Sequence, residues 1–145
     1  MILAALLHDI GHMIHAYGEN PAAQGRDDRH ELIGAKWLSK RLPASVTESI
    51  RLHVAAKRYL CATDPDYARQ LAPDSVLSLV LQGGAMPPGE AAAFRAEPFA
   101  EKAIALRRFD EAAKVPDAAT PSAAHFLRHL TTVCRDRDGR RQTMS

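Results

Sequence analysis

The sequence predicts an all-helical protein, and two observations support this fold class. Apolar residues recur at intervals of three and four over most of the 145 residues, which is the period of an amphipathic helix. No stretch of useful length alternates apolar and polar residues as a half-buried strand does. With 46% hydrophobic residues and a formal net charge of +2, the chain can bury one apolar core.

Prolines, glycines and capping residues predict where the helices begin and end. A first helix is expected from Met1 to His15, then a loop over residues 16–27, then a helix that Asp27 or Asp28 caps and that runs to about Arg41. The following helices are expected at Ser45 to Cys61 with a Ser45–Glu48 capping box, at Asp64 to Leu71, at Pro73 to about Gly83, at Pro98 to Lys114 and at Pro121 to Cys134. Residues 85–97 contain Pro87, Pro88 and Gly89 and are expected to form a loop.

The chain divides into a domain over residues 1–134 and a polar tail over residues 135–145 that we expect to be disordered. The tail mixes both charge signs, and no basic stripe interleaves with aromatics, so no nucleic-acid partner is expected. The apolar start, Met1 to Leu7, is too short for a membrane span or a signal peptide. Two distant cysteines, Cys61 and Cys134, make no disulfide framework, so a cytoplasmic location is the default expectation.

Several polar residues lie on helix faces that are otherwise apolar. His53 and Lys57 share a stripe with apolar residues of their helix, and Asp110 shares one with Leu106, whereas Arg107, Arg108 and Glu111 lie off that stripe. His30 shares its stripe with Ile33 and Trp37, and His8 and His12 lie four apart with Asp9 beside His8. A single inward histidine is more often a hydrogen-bonded core residue than a metal ligand. Several together on different helices, with two inward aspartates, favour a shared metal, because a buried charge needs a partner.

Neighbouring His8 and Asp9 are the centre of the predicted metal site. Adjacent residues on a helix point about 100° apart, so each can reach a different side of a cluster. The two oxygens of the Asp9 carboxylate can bridge two cations. His8 and Asp110 would complete one metal position, and His30 and His53 the other; such a mixture of nitrogen and oxygen ligands suits iron, manganese, zinc or nickel.

Five segments carry a resemblance to a known family. They are the run HDIGH at His8 to His12, HELIGA at His30 to Ala35, HVAAK at His53 to Lys57, LQGG at Leu81 to Gly84, and LRRFDEAAK at Leu106 to Lys114. The chain resembles the HD-domain oxygenases of phosphonate catabolism, the PhnZ type. That resemblance implies an HD-domain helical bundle similar to myo-inositol oxygenase.

The resemblance also implies a reaction. Two iron ions in a mixed-valent Fe(II)/Fe(III) pair, or alternatively manganese or other divalent metals, would use dioxygen to cleave the carbon–phosphorus bond of a small 1-hydroxyphosphonate and release phosphate. Asp9, His12 and Lys57 would be the catalytic residues. His12 and Lys57 would contact the phosphonate, and Ser78 and Gln82 would line its pocket.

Other interpretations remain open at this point. The family carries one more histidine ligand on a helix before the HD run, and here only seven residues precede His8, so the chain is expected to be truncated relative to the family. A metal-dependent phosphohydrolase and a non-catalytic remnant are therefore alternatives to the oxygenase. Lys57 could extend along its stem to solvent, Ser78 could bond to its own backbone, and Gln82 could only close its helix.

Overall fold

A computed structural model describes residues 1–14, 16–17 and 21–142, with side chains described up to residue 133. Its helices are α1 (Ile2–Leu7), α2 (Gly11–Ile14), α3 (His30–Leu38), α4 (Ala44–Arg51), α5 (His53–Thr63), α6 (Pro65–Arg69), α7 (Pro73–Leu81), α8 (Pro88–Arg95), α9 (Ala100–Ala112) and α10 (Ala123–Gln142). A 3-10 turn covers Pro21–Gln24. No strand occurs among the described residues, so the all-helical prediction is confirmed.

The predicted first helix is interrupted at the HD run. Residues 8–10 form a turn between α1 and α2, and His15 lies outside the described residues. Gly11 explains the interruption, because a Cβ at this position would lie 2.0 Å from the backbone oxygen of His30. The backbone of α2 therefore lies directly against the start of α3. A residue with a Cβ at position 11 would not allow this close approach.

The predicted helix from Ser45 to Cys61 is also two helices, which meet at Leu52. The expected capping box does not form: Pro43 occupies the N-cap, and Ser45 lies inside α4 and accepts a bond from Ser49 through its backbone oxygen. Asp64 caps α6 as its sequence suggests, with its carboxylate accepting from the backbone nitrogens of Asp66 and Tyr67. Helix α7 also begins at Pro73 as expected.

Residues 85–97 contain helix α8, so the loop expected there is wrong. Pro88 is the first residue of that helix, where a missing N–H costs nothing, and three alanines then favour the helix. The Glu90 carboxylate pairs with Arg58 of α5, and Phe94 is buried. Tertiary contacts therefore fix a segment whose proline and glycine content suggests a loop.

The core lies where α1, α3, α4 and α9 meet, with a second cluster between α5, α8 and α9. Ile50 and Leu106 are fully buried at the first, and Ala56 and Ala103 at the second. Trp37, expected on the buried stripe of α3, is instead 44% exposed beneath Arg41. These contacts hold the start of α5 against α9, and so bring the elements that carry His53 and Asp110 together.

Helix α10 begins near its predicted start and continues to Gln142, beyond the boundary at residue 134 that the sequence suggests. The division into a domain and a disordered tail stays a prediction, since residues 143–145 lie outside the described part of the chain. No helix among the described residues is both long and apolar enough to cross a membrane.

Candidate functional site

The structure places the predicted site residues in and directly behind the wall of one cavity of about 550 Å³. The cavity is lined by eight of the nine predicted site residues: Asp9, His12, His30, His53, Lys57, Ser78, Gln82 and Asp110. The ninth, His8, lies behind Asp9, with its Nε2 atom 3.3 Å from Asp9 Oδ2. These side chains come from the HD turn and from helices α2, α3, α5, α7 and α9, so the core packing converges on this point.

One half of the site, here the His53 half, consists of Asp9 Oδ1, His30 Nε2 and His53 Nε2. The two nitrogens lie 3.2 Å apart, and Asp9 Oδ1 lies 3.5 Å from His30 and 3.8 Å from His53. Ligand atoms about 2.1 Å from one metal stand roughly 3.0 to 3.4 Å apart in octahedral or tetrahedral geometry. These three separations are therefore close to those of a metal site.

The other half, the Asp110 half, consists of Asp9 Oδ2, His8 Nε2 and Asp110 Oδ1. His8 Nε2 lies 3.3 Å from the Asp9 oxygen and 3.5 Å from the Asp110 oxygen. It is buried and has no hydrogen-bond partner among the described residues. A buried nitrogen without a hydrogen bond that faces two carboxylates fits a metal ligand better than a core residue. The two oxygens of Asp9 therefore face different halves.

Backbone and carboxylate acceptors fix the tautomers of three histidines. The Nδ1 atoms of His8 and His53 donate to the backbone oxygens of Ala5 and Ile50 at 2.8 and 2.7 Å, and Nδ1 of His30 donates to Asp28 at 2.9 Å. Since these acceptors carry no hydrogen, each Nδ1 must be the protonated nitrogen. In the neutral rings each Nε2 atom then carries a lone pair that points to the centre of the site. Histidines that bind metals are usually arranged in this way.

Burial and neighbouring charges shift the pKa values of the histidines and of Asp9 at the centre of the site. Burial and the neighbouring His30 hold the pKa of His53 well below its usual value, and burial with His12 lowers that of His30. Burial alone would raise the pKa of Asp9, but the close contact with His8, together with His53 and His30, outweighs it and lowers that pKa. The neutral imidazoles of His30 and His53 beside an ionised Asp9 are the forms that bind a metal. For His8, burial would lower the pKa, but the contact with Asp9 and the backbone oxygen of Ala5 outweigh it and raise that pKa.

His12 lies on the cavity side of His30. The two rings stack with centroids 3.9 Å apart, and His12 Nδ1 lies 2.6 Å from Asp28 Oδ2. Ligand atoms of Asp9, His12 and His30 all lie within 4.8 Å of one another, which makes these three a second candidate metal triad. The side chain of His53 is 4% exposed and that of His12 is 42% exposed, which favours the trio with the buried His53 over that triad.

Cations form the wall of the cavity beside the Asp110 half. Lys57 is 4% exposed, and its Nζ atom donates to Ser78 Oγ at 2.7 Å. Burial, reinforced by Arg107 and Lys114, lowers the Lys57 pKa to about 8. The interpretation that Lys57 extends to solvent is therefore wrong. Ser78 donates to the backbone oxygen of Ser75 and also accepts from Lys57. Its contact with a substrate stays a prediction.

Arg107 and Lys114 belong to this wall, although the sequence does not single them out. Arg107 is 5% exposed, whereas it was expected off the buried stripe of α9. Its guanidinium contacts Asp110, Glu111, Ser75 and Tyr67, the last at 2.7 Å. Lys114 Nζ lies 3.4 Å from Asp110 Oδ2 and donates to Ser75. Helical periodicity treats an arginine as a surface residue, and only the tertiary partners reveal its burial.

Gln82 is a further polar group that faces the cavity. Its Oε1 atom is buried and has no hydrogen-bond partner among the described residues. Buried amide oxygens are normally paired, so an unpaired one at a cavity wall fits a ligand contact. The cavity therefore combines closely spaced nitrogen and oxygen atoms, a cationic wall and an unpaired amide.

The proteins with sequences similar to this chain include two phosphonate dioxygenases. The chain is 45% identical over 126 residues to 1-hydroxy-2-(trimethylamino)ethylphosphonate dioxygenase (glycine-betaine-forming) from Leisingera caerulea, and the match covers 87% of this chain and 64% of that protein. It is 43% identical over 126 residues to hydroxymethylphosphonate dioxygenase from Gimesia maris, covering 86% of this chain and 63% of that protein. An uncharacterised protein of Acanthamoeba polyphaga mimivirus is 34% identical over 117 residues.

No family model matches the chain, so the HD-domain label rests on the motifs alone. The chain spans somewhat less than two thirds of the length of the two curated dioxygenases that it matches. The resemblance that the HDIGH and HVAAK segments suggest is confirmed: this chain is similar in sequence to phosphonate dioxygenases.

Proposed function

We propose that this chain carries the metal centre and the anion-binding wall of an oxygenase that cleaves the carbon–phosphorus bond of a small 1-hydroxyphosphonate. The observation that carries the proposal is the Asp9 carboxylate, whose two oxygens face two separate groups of ligand atoms. The names of two relatives supply the reaction class, since both act as dioxygenases on phosphonates.

In this proposal Asp9 bridges two metal ions. His8 and Asp110 hold one of them, and His30 and His53 hold the other. Two lone pairs 3.2 Å apart at His30 and His53 repel each other unless a cation lies between them, and the unpaired His8 nitrogen has the same need. Iron is proposed for both positions from the family resemblance, and such a pair, once bound, supplies the redox chemistry that dioxygen requires.

The chain's own residues bind and orient the substrate. Lys57 presents a compact ammonium for the phosphonate, and the hydroxyl of Ser78 holds that ammonium in place. Gln82 offers an amide oxygen as acceptor, and its amide nitrogen can donate to the phosphonate. His12, which lines the same cavity, would be a second contact for the anion. Buried Arg107 adds positive potential but stays bound to the protein's own carboxylates.

The overall change balances with one dioxygen for each phosphonate. The carbinol carbon becomes a carboxylate carbon, its bond to phosphorus breaks, and phosphorus leaves as phosphate. A hydrolase would release phosphate without oxygen, so oxygen dependence separates the two reactions.

The test compares phosphate release from hydroxymethylphosphonate and from 1-hydroxy-2-(trimethylamino)ethylphosphonate by the iron-loaded chain, with and without oxygen. We expect release only with oxygen and one oxygen consumed per phosphate. Equal release without oxygen would make the chain a hydrolase, and no release under either condition by a metal-loaded chain would make it a binding remnant.

A further inference from the structure

We propose that Asp28 is a positioning residue that fixes two histidines at once: His30, which the proposed function makes a metal ligand, and His12, which lines the substrate cavity. Its carboxylate is the only described group that contacts both imidazoles through their Nδ1 atoms, at 2.9 Å for His30 and 2.6 Å for His12. The sequence suggests only a helix cap at this position.

The two oxygens of Asp28 have separate tasks. Oδ1 accepts from the backbone nitrogen and from Nδ1 of His30, at 3.3 and 2.9 Å, and so sets the tautomer of the ring. The expectation that Asp27 or Asp28 caps α3 is wrong, because the N-cap is Arg29, whose backbone is left-handed there. Oδ2 lies against Nδ1 of His12. The carboxylate is 6% exposed, so water competes little for either oxygen.

The stacked rings make the arrangement a single unit. His12 and His30 lie nearly parallel, at 23°, with centroids 3.9 Å apart, and both are tied to the same carboxylate. His12 is 42% exposed, whereas His30 is 8% exposed, so the unit joins the open cavity to the buried centre. If the His30 ring lost its orientation, metal binding would therefore weaken. If the His12 ring lost its orientation, substrate binding would weaken.

Asp28→Asn separates positioning from folding. Asparagine is close to aspartate in size, and its one oxygen can stay with the backbone nitrogen of His30. The amide has a donor where the second oxygen was, so it cannot accept from both rings. We expect the thermal unfolding temperature of the metal-free chain to change by no more than it does in Asp66→Asn, a control at an exposed position away from the cavity.

Two readouts decide the question. The first is the Kd for Co²⁺, measured by chelator competition and by the cobalt absorption spectrum, and the second is the KM of the metal-saturated chain for hydroxymethylphosphonate. We expect Asp28→Asn to weaken cobalt binding by about 10- to 100-fold and to alter the spectrum. We also expect it to raise KM, whereas Asp66→Asn changes none of these. His12→Phe keeps a stacked ring and should raise KM without weakening cobalt binding.

This inference rests on the proposed function, but the two can fail separately. If His53→Ala loses cobalt while Asp28→Asn matches wild type in Kd and KM, the metal site stands and the positioning role is overturned. A defect of Asp28→Asn confined to cobalt affinity, with normal KM, would also overturn it, because Asp28 would then serve His30 alone.

Discussion

The two halves of the site satisfy their polar groups in opposite ways. In the His53 half, acceptors behind the imidazoles take the Nδ1 hydrogens and leave two lone pairs facing each other. In the Asp110 half, Arg107 and Lys114 already contact the second oxygen of Asp110. Without metal, the first half carries two lone pairs that face each other, whereas the second carries the single lone pair of His8 and has built-in cations at Asp110. We therefore expect the His53 half to bind metal first and more tightly.

The Asp110 half should depend on Arg107 for its stability. Arg107→Met leaves Asp110 and Glu111 buried with Lys114 as their remaining lysine or arginine ion-pair partner among the described residues. We expect a loss of about 3–5 kcal/mol in the free energy of unfolding of the metal-free chain, partly restored by a divalent metal. Urea unfolding measures it. Arg108→Met is the matched control, since Arg108 is an exposed neighbour paired with Asp64, and should cost under about 1 kcal/mol. If Arg107→Met and Arg108→Met lost the same free energy of unfolding, Arg107 would not be what balances the buried carboxylates of this half.

Gly11 should matter to both halves equally. Gly11→Ala places a methyl group against the backbone of His30, and the HD turn must shift away from α3. We expect a loss of about 3 kcal/mol in unfolding free energy and weaker metal binding throughout. Gly89→Ala is the control, because no atom lies within 4 Å of its added Cβ. If metal binding weakened in only one half of the site, the HD turn would not be what positions the ligands of both halves.

His53→Ala should distinguish the halves most directly by affinity. It removes one of the two nitrogens of the His53 half, and we expect the tighter metal-binding step to weaken by at least about 100-fold. His125→Ala, at an exposed position on α10, should leave both steps unchanged. Titration calorimetry with Co²⁺ gives the two steps. Loss of only the weaker step would reverse the proposed order of binding.

Lys57 should affect the substrate and not the metals. Lys57→Met keeps most of the buried stem and removes the charge, and we expect KM to rise about 10-fold or more with metal content unchanged. Its pKa of about 8 gives this effect a pH dependence. The ammonium loses its proton as the pH rises through that value, so wild-type KM should increase above pH 8 while the variant lacks this Lys57-dependent increase. An unchanged KM in the variant would remove Lys57 from the substrate site.

The sequence predicts this site better than it predicts the elements around it. His53, Lys57 and Asp110 stand out because each interrupts an apolar stripe, and the structure brings all three to one cavity. Arg107 does not stand out, because a buried cation needs tertiary partners that periodicity cannot reveal. Asp28 is read as a cap, and its contact with His12 depends on how α2 rests on α3. The same long-range packing explains α8, which local turn residues hide.

X-ray diffraction at the absorption edge of the bound metal tests the central claim, that Asp9 bridges two sites, most directly. Crystals of the cobalt-loaded chain should give two anomalous peaks about 3.5–4 Å apart on either side of the Asp9 carboxylate. One should lie among Asp9, His30 and His53, and the other among Asp9, His8 and Asp110, with the first peak stronger at low cobalt. A single peak among Asp9, His12 and His30, or no peak at Asp9, would contradict the account.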